Sequence, residues 1–343
     1  VIMFTKIKGN ILSEKNTIKD VIKSLQKCKI KIIIITKNKK VLGTVTDGDI
    51  RRGLLKNISL TSSCVEIMNK NPKCALNNEI SKINNLVQNK KIIVIITDKD
   101  KRILGIETNT RQNDKENKDT RVVVMAGGEG RRLMPLTKHT PKPLLQANKK
   151  PIIARIVESL VKANLTNIYI SIRYKGKDIV NYFNKRKDLT TKIKYLEEDN
   201  PLGTAGCLSL LEKDTSKNTI VVNGDILSSI NYEQLIQFHL LSKKKITICT
   251  AQYDISIPFG TLEMKDTKLI NLEEKPTKKF FINAGVYVIN NSILSRLKSN
   301  KFINMTDIIE KNIKNNNVAV FPLHEQWLDI GDHENYKKAQ KIK

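Results

Sequence analysis

Apolar runs four to six residues long, separated by short polar turns, alternate along this chain with stretches whose apolar positions recur every three or four residues. Lys31 to Thr46, KIIIITKNKKVLGTVT, reads as a strand, a polar turn and a second strand, and Lys91 to Thr108, KIIVIITDKDKRILGIET, repeats that order about 62 residues later. An amphipathic helical stretch precedes each copy, with Ile18, Val21, Ile22 and Leu25 in the first and Ile80, Ile83, Leu86 and Val87 in the second. Asn113 to Asp119, NDKENKD, has no apolar residue and reads as a solvated linker. Beyond it the pattern changes: VVVMA, a helix from Ile152 to Ala163, a strand from Asn167 to Ile172 and another from Thr219 to Asn223 predict an α/β domain with a mostly parallel sheet. The expected organisation is a tandem repeat over 1–112 (about 1–60 and 61–112), a linker over 113–119 and an α/β domain over 120–343.

With 343 residues the chain can bury two separate cores. Its formal charge of +27 invites a nucleic-acid reading, but 50 of the 61 basic residues are lysines scattered along the whole chain. Aromatics make up 5%, and no recognition motif interleaves them with arginine. The charge is therefore read as a compositional bias that speeds the approach of anionic substrates rather than as a nucleic-acid face. Five cysteines without C-x-x-C spacing disfavour a disulfide framework or zinc site. No window approaches the roughly 20 apolar residues of a membrane span, nor does VIMFTKIKGN hold a signal-peptide core, so a cytoplasmic protein is expected.

Residues 122–145, VVVMAGGEGRRLMPLTKHTPKPLL, carry the clearest chemistry. A buried strand runs into Ala126, a further nucleotide-binding candidate, and then into Gly127, Gly128 and Gly130, three glycines whose backbone can bend where a Cβ clashes and aim several N–H groups at one anion. Arg131, Arg132 and Lys142 add positive charge. A tight turn with solvated basic residues is the plainer alternative, but the two prolines around Lys142 fix its backbone in a way that a solvated lysine does not need.

The segment resembles the signature of the sugar-1-phosphate nucleotidyltransferases, G-G-x-G-x-R-L followed by P-K-P, with Arg131 where that family often has Thr, Ser or Lys. The resemblance continues through PLGTAG (Pro201 to Gly206), VVNGD (Val221 to Asp225), LEEKP (Leu272 to Pro276), NAGVYV (Asn283 to Val288) and WLDIGD (Trp327 to Asp332), and so covers about 120–343. It implies a Rossmann-like, GT-A-like fold and the joining of a nucleoside triphosphate to a sugar 1-phosphate with release of pyrophosphate. The sugar phosphate is already an anion, so catalysis reduces to positioning and charge neutralisation, for which two carboxylates, Mg²⁺ and a few cations suffice. Family correspondence makes Asp225 and Asp329 the magnesium ligands, and places Arg132 and Lys142 on the triphosphate. It assigns Gly203 and Thr204 to the nucleotide, with Gly203 letting the base lie against the main chain, and Gly260, Glu274, Lys275 and Asn283 to the sugar phosphate. The four histidines show no metal spacing and read as surface or packing residues.

The amino-terminal repeat resembles a tandem pair of CBS domains, a Bateman module. Gly43, Thr46 and Asp49 fit the pattern G-x-x-[ST]-x-x-D, which implies an adenine or guanine nucleotide held by Thr46 and Asp49; the second copy keeps Gly105 and Thr108 but has Arg111 where the carboxylate belongs. A structural or dimerising platform is the plainer reading, and stacking of the apolar helices predicts a homo-oligomer. Such a pair ahead of this transferase resembles the glucosamine-1-phosphate guanylyltransferases of legionaminic-acid synthesis, which makes GTP and glucosamine 1-phosphate the first expectation. UTP, dTTP or CTP, and mannose 1-phosphate or a heptose phosphate, remain open, as does a non-catalytic nucleotide-sensing scaffold.

Overall fold

The computed structural model describes residues 9–79, 82–83, 86, 93–108, 119–186, 188–189, 193–212 and 214–342. Two compact units divide the chain, Val1–Asn113 and Asp114–Lys343. The helical positions Ile80 and Val87, Arg111 and linker residues 113–118 lie outside the described residues.

The first unit contains two three-stranded sheets of the same design. In one, β1 (Ile11–Ser13) runs parallel to β2 (Ile32–Lys37), which pairs antiparallel with β3 (Lys40–Thr46). In the other, β4 (Cys74–Leu76), β5 (Ile93–Thr97) and β6 (Ile103–Thr108) repeat the same senses. Even the ladder irregularity recurs, at Ile35/Thr36 and at Ile96/Thr97. Ile32, Ile34, Ile95 and Ile106 from the two sheets bury one another. Helix α1 (Ile18–Lys27) starts at a capping box in which Thr17 and Asp20 satisfy each other's backbone N–H, and it buries the Ile18, Val21 and Leu25 stripe. Helix α2 (Asp47–Leu55) follows β3 directly.

The second unit is built on a seven-stranded sheet. Its strands are β7 (Thr120–Met125), β8 (Ile168–Ile172), β9 (Lys194–Glu197), β10 (Asn218–Asn223), β12 (Ile246–Ser256), β15 (Thr277–Asn290) and β16 (Val318–Pro322), in the order β9-β8-β7-β10-β15-β12-β16. Only β15 runs against the others. Buried on both faces, β7 needs an unbroken apolar run. Val122 and Val124 face helices α3 (Ile152–Lys162), α4 (Gly176–Asn184) and α5 (Tyr232–Ser242), while Val123 faces α6 (Met305–Ile313). Three short ribbons complete the unit among the described residues: Gln146–Ala147 with Lys150–Pro151, β11 (Ile226–Ser228) with β17 (Trp327–Asp329), and the exposed hairpin of β13 (Thr261–Lys265) and β14 (Lys268–Glu273). The parallel strands end on one edge, which is where a doubly covered sheet opens a crevice.

Candidate active site

That crevice is a cavity of about 440 Å³. The turn after β7 supplies Ala126, Gly127, Gly128, Gly130, Arg131 and Arg132, the Pro-Lys-Pro turn supplies Lys142, the segment after β9 supplies Gly203 and Thr204, and the end of β10 supplies Asp225; all of them line it. The glycines play different parts, which corrects the expectation that all three bend the backbone. Gly130 alone among them is left-handed (φ +67°), and a Cβ on it falls 2.9 Å from Lys142 Cβ and from Thr137 Cγ2. A Cβ on Gly127 sits 3.1 Å from Glu198 Oε1, and one on Gly128 meets nothing within 4 Å, so these two keep cavity space clear.

Lys142 bends the expectation again. Its ammonium, largely buried, forms an ion pair with Asp225 Oδ2, so the lysine meant for phosphate also neutralises one of the two carboxylates. The second carboxylate arrives from far along the chain. Pairing of β11 with β17 sets Ile226 opposite Asp329, and Ile330 N–H donates to the Asp225 carbonyl at 3.0 Å. Burial raises the Asp329 pKa above the ordinary carboxylate value, the neighbouring Asp225 charge raises it further, and Lys142 and Arg132 oppose the rise. Asp329 Oδ1 is buried without a hydrogen-bond partner among the described residues. A Cβ on Gly331 lies 3.4 Å from that oxygen and from both terminal nitrogens of Arg132, so this glycine lets guanidinium and carboxylate share a wall.

Two hard carboxylates, one with an orphaned buried oxygen, fit Mg²⁺, which binds few carboxylates and keeps positions for substrate oxygens and water. Among the described residues no cluster of three or more His, Cys, Asp or Glu side chains offers a fuller cage.

The sugar-side residues stand apart from the cavity lining. Glu274 Oε2 lies 2.9 Å from the Cβ position of Gly260, so a larger residue there would push aside the end of the exposed Glu274 side chain. Lys275 is exposed and left-handed (φ +47°), an uncommon conformation for a side chain other than glycine. Asn283 is committed internally: its amide donates to Tyr287 Oη at 2.8 Å and accepts from Gly285 N–H at 3.1 Å, so free bonding to a sugar hydroxyl is not its resting state.

Sequence reasoning missed Glu198 and Arg173, which also line the cavity. Glu198 accepts from Ser171 Oγ–H through Oε1 and from Leu202 N–H through Oε2 at 3.2 Å, leaving each oxygen a further lone pair. The usable signal was its place five residues before Gly203, at the end of a short strand without an apolar run.

Of the histidines, His239 is buried with Nδ1 2.8 Å from Thr247 Oγ1 and Nε2 3.3 Å from Asn218 Oδ1, and burial lowers its pKa to about 4, so it packs as a neutral ring. All five cysteines carry thiols rather than disulfides, and burial raises Cys207 to about 12. Among the described residues no helix is long and apolar enough to cross a membrane.

A glycine-rich turn, a carboxylate pair and a mostly parallel sheet define an α/β protein with a polar crevice at its strand ends, and residues 121–342 match the nucleotidyl transferase family, to which the chain belongs. It is 30% identical over 225 residues to a mannose-1-phosphate guanyltransferase of Aspergillus oryzae, covering 63% of this chain and 62% of that protein. It is 32% identical over 217 residues to the bifunctional protein GlmU of Methanococcus aeolicus, covering 61% and 51%. The chain thus spans about three-fifths or less of the length of these curated relatives. The crystal structure of HddC from Yersinia pseudotuberculosis complexed with GMP-PN is similar over 64% of this chain and 98% of that one, with 26% identity and a TM-score of 0.50.

Proposed function

We propose that the 114–343 unit transfers a guanylyl group from GTP to a sugar 1-phosphate. The observation that carries the guanine preference is Glu198. A carboxylate aimed into a base-sized cavity accepts two neighbouring N–H groups, and the N1–H and N2–H edge of guanine supplies them, whereas uracil and thymine alternate acceptor, donor, acceptor. The similarity to guanyltransferases and to a GMP-PN complex supports the same choice.

In the proposed reaction an oxygen of the sugar phosphate attacks the α-phosphorus, the bond to the β-phosphate oxygen breaks, and pyrophosphate leaves with that electron pair. Asp225 and Asp329 would hold Mg²⁺, which neutralises phosphate charge when bound. Arg132 holds the leaving pyrophosphate. Lys142, paired with Asp225 in this structure, would turn to the phosphates and neutralise the charge that develops there. Gly203 and Thr204 border the base and ribose, while Glu274 and Lys275, at the root of the β13/β14 hairpin with Gly260, and Asn283 form the sugar side. Glucosamine 1-phosphate is the proposed acceptor, with mannose 1-phosphate the first competitor.

The amino-terminal unit is proposed to be a CBS pair that promotes homo-oligomer formation and admits a purine nucleotide. It holds a cavity of about 620 Å³ lined by Thr46 and Asp49. Asp49 already accepts from Thr46 N–H and Oγ–H through Oδ2 and pairs with Arg52 through Oδ1, so a ribose there competes with the helix cap. Measuring Mg²⁺-dependent pyrophosphate release from GTP, UTP, dTTP and CTP against a panel of sugar 1-phosphates tests the reading. GTP with a hexosamine or hexose 1-phosphate is expected to dominate, and silence with every pair would refute it.

A further inference from the structure

We infer that Arg173 is a specificity residue that reads the O6 and N7 edge of guanine, beside Glu198 on the N1 and N2 edge. The inference rests on the GTP reading above and deepens it. Strands β8 and β9 are parallel, and their last ladder pair is Ile172 with Glu197. The next residue of each, Arg173 and Glu198, therefore leaves the sheet side by side at the carboxyl edge, where the cavity lies. Ser171 shares a face of β8 with Arg173 by the two-residue alternation, and its hydroxyl donates to Glu198, so the carboxylate lies on the arginine's face.

Both side chains flank one glycine. The Cβ position of Gly127 is 3.1 Å from Glu198 Oε1 and 3.5 Å from Arg173 Cβ. Arg173 is 23% exposed, and among the described residues its polar partner is Glu129, at a long 3.4 Å; Glu129 is held more closely by Arg131 at 2.6 Å. Most of the donor capacity of the guanidinium is thus uncommitted. Arg132 and Lys142 cluster with Asp225 and Asp329, the phosphate end, whereas Arg173 leaves its strand beside Glu198, its Cβ and the Glu198 carboxylate both against Gly127.

Guanine presents, in unbroken order, two donors (N2–H, N1–H) and then two acceptors (O6, N7). A carboxylate followed by a guanidinium is the complementary order, and the paired arginine bonds to O6 and N7 are the commonest base-specific contact of that side chain. No other common base offers two donors followed by two acceptors in succession around its rim.

Substrate analogues isolate the contact. 7-Deaza-GTP lacks the N7 acceptor, and ITP lacks the 2-amino donor that belongs to Glu198. With the full-length chain, kcat/KM for GTP is expected to exceed that for 7-deaza-GTP by about tenfold. In Arg173→Met that ratio should fall to near one while the GTP-to-ITP ratio holds, and in Arg173→Lys, whose ammonium can still donate to O6 and N7, an intermediate ratio should remain. Each ratio is taken on one preparation, so a reduced folded fraction cancels. Equal losses on GTP and 7-deaza-GTP, leaving the ratio at its parental value, would overturn the inference and place Arg173 on phosphate or in packing. A parent enzyme that prefers a pyrimidine triphosphate overturns the guanylyl reading itself.

Discussion

Replacing Glu198 by glutamine keeps the shape of the side chain and turns one acceptor into a donor. Its internal bonds survive: Leu202 N–H can donate to the remaining oxygen, and the Ser171 hydroxyl, a donor in the parent, can turn and accept from the new NH₂. The fold should lose no more than about 1 kcal/mol. Guanine fares worse. One hydrogen bond to a charged acceptor disappears, at about 1.5–3 kcal/mol, and one guanine N–H faces another donor, at about 1–3 kcal/mol. A combined loss of about 2.5–6 kcal/mol corresponds to roughly 10²- to 10⁴-fold in kcat/KM. The amide meanwhile matches the N3–H and O4 edge of uracil and thymine, so the GTP-to-UTP ratio should fall further than GTP turnover alone. Pyrophosphate release from each triphosphate at saturating Mg²⁺ and sugar phosphate, with a thermal melt on the same sample, measures both quantities. A GTP kcat/KM within about threefold of the parent, or an equal fall for every triphosphate, would refute the base-reading role of Glu198.

Other outcomes test the remaining parts of the site. Asp225→Asn and Asp329→Asn should each cut turnover by roughly 10²-fold or more; near-parental rates in both at saturating Mg²⁺ would exclude a shared metal. Asp329→Asn should also raise the melting temperature at pH 7 without Mg²⁺. Its carboxyl titrates higher folded than unfolded, so stability is lost as pH rises from the unfolded pKa through the folded one, and the neutral amide removes that loss; a lower melt would contradict the burial argument. Lys142→Ala should chiefly lower kcat and nucleotide affinity, and Lys275→Ala chiefly raise the KM for the sugar phosphate, the reverse pattern showing that the subsites are exchanged. A purine nucleotide binding the full chain at the amino-terminal cavity should lose affinity in Asp49→Ala, at a stability cost of about 1 kcal/mol from the broken cap; unchanged calorimetric titration would leave that unit as an assembly platform.

Strands that are buried on both faces announce themselves, and β7, β8 and β10 were legible because TRVVVM, IYISI and NTIVVN have nowhere to go but a covered sheet. β9 is KYLE, with charge at both ends and four residues in length, and it left no such trace. Missing it meant missing Glu198, which β9 delivers, and the adjacency to Arg173. The reversal of β15 was equally invisible, since the apolar run of NAGVYV carries no sign of strand direction. Motif spacing found both aspartates but not what joins them, because β11 and β17 are three residues each and their pairing is decided by the packing around them. The Asn283 bonds and the left-handed Lys275 belong to tertiary context, which no local pattern carries.

The β11 and β17 ribbon makes the carboxylate pair a property of chain closure. One aspartate is laid down at the end of a central strand, and the other comes back about a hundred residues later on a ribbon only three pairs long. On the proposed function, a chain clipped before β17 would lack the second carboxylate and could not turn nucleotide over, and it would also lose the buried Ile330 and Ala339 of the main core. Conversely, ligand bound across the ribbon acts as a clamp: at a hundredfold excess over Kd it adds about 2.7 kcal/mol against opening. Protease resistance around residues 318–339 then becomes a direct gauge of how full the site is, read at a place that touches no base.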